Sequence, residues 1–116
     1  MDFAKGKRVK IAVFTVVGAV KQARLVHYDQ TRHEYQKIEL GHPLEIANCS
    51  GNLSLKDSKP FAHVHAVLAD AAGKTYGGHL LKATVFAAEL HLQELLGKKL
   101  EREYDQTTGL ALWKFG

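Results

Sequence analysis

The chain has 116 residues, 46% of them hydrophobic and 24% charged, with a formal net charge of +4. That length holds one domain (1–116) and one core, the composition argues against disorder, and no apolar run approaches the ~20 residues of a membrane span. A single cysteine, Cys49, rules out an internal disulfide and fits a reducing compartment, and the charged start at Asp2, Lys5, Lys7, Arg8 and Lys10 carries no signal-peptide pattern, so a cytoplasmic protein without a membrane partner is expected.

Lys10 to Val17 is a β-branched run that suits a buried strand, with Gly18 as its end and Ala23 to Tyr28 as a second strand. Asp29–Gln30–Thr31 is turn material, Glu34 to Leu40 alternates roughly at period two, and Gly41–His42–Pro43 breaks the chain before Leu44 to Cys49 resumes it. Ser50–Gly51–Asn52 is expected as a turn or bulge and Lys56 to Pro60 as a loop. Phe61 to Asp70 then places Ala62, Val64, Ala66 and Leu68 on one uninterrupted apolar face, with Phe61, His63, His65 and Val67 on the other. Strict alternation with an all-apolar side turns that side to the core. Lys74 to Leu81 reads as the returning strand of a hairpin. Ala83 to Leu96 has helical composition, but Phe86, Ala88, Leu90 and Leu92 alternate with polar or small residues, and period outranks propensity: a strand is expected through about Gln93. Leu100 to Tyr104 and Leu110 to Phe115 are two short extended pieces.

The hairpin carries the chemistry. With Ala71–Ala72–Gly73 as a three-residue loop, His65 falls opposite His79 and His63 lies two residues along on the same face. Opposed Cβ atoms sit about 4.5–5.5 Å apart, so three imidazoles can converge, and three neutral imidazoles with an open position are the ligand set of a catalytic-type zinc site. The alternative is a half-buried polar face of hydrogen-bonded histidines, and a bulge at Gly77–Gly78 would turn His79 away. His27, His33, His42 and His91 are expected to stand apart, and Cys49 to be a small core residue. No phosphate loop, dinucleotide fingerprint or nucleophile elbow is present: Gly73–Lys74–Thr75 lacks the upstream glycine of a Walker motif.

An ordered series of segments resembles the PPC (plants-and-prokaryotes-conserved) domain: Gly18–Ala19–Val20, Tyr28–Asp29, Pro43 to Ile46, Ser50 to Leu55, Pro60 to His65, Val67 to Asp70 and Gly77 to Leu80. The resemblance runs from about Val9 to the C-terminus. It implies an α+β fold, mainly antiparallel β-sheet, assembling as a homotrimer. The fold is also similar to that of α-acetolactate decarboxylase, a zinc enzyme whose H-x-H pair and later histidine map onto His63, His65 and His79. Two departures stand out. The Arg-Gly-Arg-Pro hook that reads a minor groove in plant members is missing, and only eight residues precede Val9, so the family's N-terminal strand–helix unit is expected to be missing or reduced.

Three readings follow. The first is an oligomeric binding module, DNA-associated through the basic residues Lys5, Lys7, Arg8 and Lys10, with a three-histidine metal site; those four side chains would contact phosphates rather than bases. The second is a small zinc-dependent enzyme of carbonyl-polarising lyase or hydrolase type, with Glu45, Asp70 and Glu89 as candidate acids or bases. The third is a plain scaffold.

Overall fold

The computed structural model describes residues 9–114, which form seven strands: β1 (Ala12–Asp29), β2 (Glu34–Leu40), β3 (Leu44–Lys56), β4 (Lys59–Ala69), β5 (Thr75–Glu94), β6 (Glu101–Asp105) and β7 (Leu110–Trp113). No helix occurs among the described residues, so the expected α+β class is corrected to β. The helical expectation came from the family's N-terminal unit, and residues 1–8 lie outside the described part. Within it, the helix-favouring stretch Ala83 to Leu96 is extended to Glu94, because β1 pairs along it from Ala83 to Glu94.

The strands form one sheet in the order β2-β1-β5-β4-β3-β6-β7, antiparallel throughout except for the β3–β6 pair. An additional β1–β3 pairing, from Ala12↔Leu53 to Val20↔Leu44, closes β1, β5, β4 and β3 into a ring. The ring encloses the main core of Val20, Ala23, Leu25, Leu44, Cys49, Ala66 and Leu68. A smaller cluster of Val9, Ala12 and Leu53 lies at the start of β1.

Closure requires long strands that bend, and glycine provides the bend. Gly18 does not end a strand; β1 runs through it with φ 146°, and the β1–β3 register shifts between Thr15 and Gly18. A Cβ there would overlap the Ala87 carbonyl. Gly51, expected in a turn or bulge, lies in an unshifted stretch of β3 paired with Phe14, whose ring crosses its Cα so closely that a Cβ would come within 2.6 Å of the ring. In both places glycine marks close approach by a neighbouring strand rather than a turn. The expected loop at Lys56–Pro60 is a two-residue turn: Lys56 pairs with Lys59, and Asp57 and Ser58 take φ of 52° and 61°, left-handed values that match the twist of the flanking strands.

Beyond His79, β5 pairs with β1 alone among the described residues, so one edge of its far half is open. Val85, Phe86 and Leu90 are exposed there, Phe86 by 73%.

Candidate metal centre and adjoining groove

The β4–β5 hairpin sets the site. Asp70 closes its loop: its amide donates to the Lys74 carbonyl at 2.9 Å, and its Oδ1 accepts from the amides of Ala72 (3.0 Å) and Lys74 (2.9 Å). Gly73 takes φ 82°. From that loop the register runs without slippage through Ala69↔Thr75 and Leu68↔Tyr76 to His65↔His79, so Gly77 and Gly78 hold no bulge against β4. Ala66 and Leu68 are buried in the core, which turns His63 and His65 to the opposite face, beside His79.

The three histidines come together there. One ring nitrogen from each lies within 4.8 Å of the others, and the Nε2 atoms of His63 and His65 are 3.2 Å apart. Two imidazoles on a tetrahedral zinc, with Zn–N of about 2.0–2.1 Å, would place their nitrogens about 3.3 Å apart, so the pair already has ligand spacing. Burial, then the neighbouring imidazoles, then the Arg102 guanidinium hold the His63 pKa below the usual imidazole value; burial and His65 lower that of His79. Both shifts favour the neutral ring, the form that binds a metal. The donor set fits a divalent cation of the zinc type.

Across the sheet, the register extends the histidine face into rows. His79, His65, Ser50, Thr15 and His91 form one, and His63, Asn52, Val13 and Gln93 the next. Between them and a wall of Phe14, Leu92 and Trp113 lies an open groove of about 730 Å³ that reaches His63 and His65. His91 therefore does not stand apart: β1 pairs with both β3 and β5, and this pairing carries the far end of β5 back to the site. His27 is exposed on β1, His42 lies between β2 and β3, and His33 sits in the β1–β2 turn at φ 57°.

Arg102 on β6 was not identified from the sequence. Parallel pairing of β6 with β3 through Leu55↔Glu101 and Lys56↔Arg102 brings it beside the groove. Its Nε donates to Ser54 Oγ at 2.9 Å, one terminal nitrogen to the Ala111 carbonyl at 3.0 Å and the other to Asn52 Oδ1 at 3.0 Å. The guanidinium lies over the rings of Phe61 and Trp113, at 5.2 and 5.3 Å. Local spacing gives no sign of this, because nothing in β6 announces which strand it joins.

The other candidates are dispersed. None of Glu45, Asp70 and Glu89 lines the groove, and Asp70 is occupied in the hairpin loop. Lys5, Lys7 and Arg8 lie outside the described residues; Lys10 is exposed.

Known proteins agree with this architecture. A metal-containing protein from Archaeoglobus fulgidus is 46% identical and superposes with a TM-score of 0.94, over 98% of this chain and 81% of its own. A plant- and prokaryote-conserved (PPC) protein from Pyrococcus horikoshii is 38% identical with a TM-score of 0.94, over 98% of this chain and 79% of its own. Among curated sequences, the bifunctional protein GlmU of Synechococcus sp. (strain JA-3-3Ab) is 35% identical over 99 residues; the match takes in 84% of this chain but only 15% of that protein's length. The family profile of the Plants and Prokaryotes Conserved (PCC) domain matches residues 1–96, which takes in the ring and all three histidines. The chain belongs to the PCC domain family.

Proposed function

We propose that the chain is an oligomeric, DNA-associated binding protein of the PCC family that holds one divalent metal per subunit, zinc first, through His63, His65 and His79. The convergence of three imidazole nitrogens within 4.8 Å carries this reading. Among the described residues these rings make no hydrogen bond to backbone or carboxylate; the His63–His65 pair, at hydrogen-bonding distance, is their one polar contact, which leaves their remaining nitrogens free to bind a cation. The Archaeoglobus relative, itself described as metal-containing, adds support. Zinc is favoured over harder cations by an all-imidazole donor set.

Assembly as a homotrimer is supported by the open edge and exposed apolar side chains of β5, surface that a neighbouring copy would cover. The DNA component rests on Lys5, Lys7, Arg8 and Lys10, whose charge a trimer would present three times over. A cytoplasmic setting is the reading that a single cysteine, Cys49, supports, since it fits a reducing compartment.

Metal analysis of the purified full chain tests the central claim, with visible spectra of the cobalt-loaded protein. One metal per chain and four-coordinate cobalt bands are expected. Absence of stoichiometric metal under zinc-replete conditions would return the histidines to a hydrogen-bonded polar face.

One observation favours a second reading, a small zinc-dependent enzyme: the groove opens onto the histidines. There the metal would polarise a carbonyl or activate water. The groove supplies Ser50, Thr15 and His91 as polar neighbours but no carboxylate, so the binding reading stands first.

A further inference from the structure

We propose that the groove binds a small organic carboxylate, its head group between the histidine-held metal and the side-chain amide of Asn52, and its chain against the apolar wall. The proposal rests on the metal reading above and names the class of ligand that the site takes.

Charge is the first argument. Three neutral imidazoles leave a divalent cation uncompensated, and no carboxylate lines the groove. Arg102 adds a further positive charge, with no carboxylate in ion-pair contact among the described residues. Such a site is incomplete without an anion.

Hydrogen-bond polarity is the second. A guanidinium can only donate, so its bond to Asn52 fixes the Asn52 oxygen toward Arg102 and frees the NH2 group. Asn52 lines the groove directly across the β3–β4 pair from His63, and its NH2 makes no other hydrogen bond among the described residues. Arg102 is thus a positioning residue: it touches no ligand, but it presents an amide donor beside the metal position. The Trp113 indole N–H, on the groove wall, is also buried without an acceptor.

Shape is the third. Val13, Phe14, Leu92 and Trp113 give an apolar wall that suits a short hydrocarbon chain and offers little to inorganic phosphate.

Trp113 is the chain's one tryptophan, so intrinsic fluorescence reports on the groove with or without metal. The full-length, zinc-loaded protein is titrated with butyrate, with its uncharged isostere butyramide and with inorganic phosphate. Butyrate should give a saturable change with a dissociation constant on the order of 1 mM or below, the other two binding at least about tenfold more weakly. Asn52→Asp keeps an acceptor for Arg102 while removing the donor and neutralising the guanidinium; it should retain zinc and lose at least about tenfold in butyrate affinity. No response to butyrate, equal binding of butyramide or phosphate, or an unchanged affinity in a folded Asn52→Asp protein overturns the proposal. The wild-type comparison needs no variant. A chain that takes zinc but not butyrate loses the carboxylate site alone. One that takes butyrate without zinc loses the metal reading and, with it, the head-group position proposed here, and one that takes neither loses both.

Discussion

The two halves of β5 lie in one strand and behave differently. From Thr75 to His79 the strand is paired on its β4 side, its inward side chains join the ring's core, and its outward face holds His79 against His65. From Val85 to Glu94 it is paired with β1 only, and it exposes Val85, Phe86 and Leu90. Alternation of side chains is present in both. In the first half alternation separates a core face from a polar face that can do chemistry. In the second, Val85, Phe86 and Leu90 meet solvent, and only Leu92 packs inward, against the cluster of Val9, Ala12 and Leu53, so alternation there does not separate a core face from a polar one.

The sharpest test of this contrast sets the two faces of β4 against each other. Leu68 is 2% exposed, and Leu68→Ala should destabilise the fold by about 2–5 kcal/mol in denaturant unfolding of the metal-free protein. His65→Ala, on the opposite and exposed face, should cost little stability but abolish zinc binding in equilibrium dialysis. His33→Ala, in the distant β1–β2 turn, should leave both unchanged. Zinc retained by His65→Ala would remove the hairpin from the metal account.

This hairpin was also the most legible part of the chain. A short loop ending in Gly73 and an unbroken apolar face from Ala62 to Leu68 are local signals, and together they specify the His65↔His79 register. The long strands were not legible in the same way. Gly18 and Gly51 read as chain breaks because glycine commonly makes turns, yet each is required by the approach of another strand, at Ala87 and Phe14. Those neighbours are remote in sequence, so no window around the glycine contains the cause. His91 and Arg102 were misplaced or missed for the same reason: β1–β5 and β3–β6 pairing bring them to the groove, and neither pairing has a local signature. The helix came from family likeness rather than from these residues.

The far half of β5 can be broken on its own terms. Phe86→Glu places a charge on the most exposed aromatic of the patch and should shift the assembly toward single chains, at a cost of about 2 kcal/mol or more in association. Light scattering at micromolar concentration reads this directly. A wild-type mass near that of one chain would leave the apolar edge without a partner of this kind.

A third effect falls outside both halves. Reversing Lys5, Lys7, Arg8 and Lys10 should weaken DNA binding alike for all sequences, and reduce the salt slope by about 0.9 for each phosphate no longer neutralised. Unchanged affinity would move the interface elsewhere, and no binding at low salt would remove DNA from the account.

The smallest effect is a pH dependence carried by two hairpin histidines. His63 and His79 are held below the usual imidazole pKa in the folded chain, chiefly by burial. Well above the unfolded value of about 6.5 both states are neutral and the shift has no effect on stability. As the pH falls through that value the unfolded chain takes up protons first, so the folded state loses stability until the lower folded pKa is passed. Unfolding midpoints of the metal-free protein should therefore decline on acidification below about pH 6.5, and His63→Gln with His79→Gln should flatten that part of the profile. With zinc bound the decline should steepen, because protons then compete with the metal for the same nitrogens. A double variant as acid-sensitive as the wild type would place the titrating groups away from this face. The apolar patch on the far half of β5 is the control: Val85, Phe86 and Leu90 do not titrate, and Phe86→Glu should leave this window unchanged.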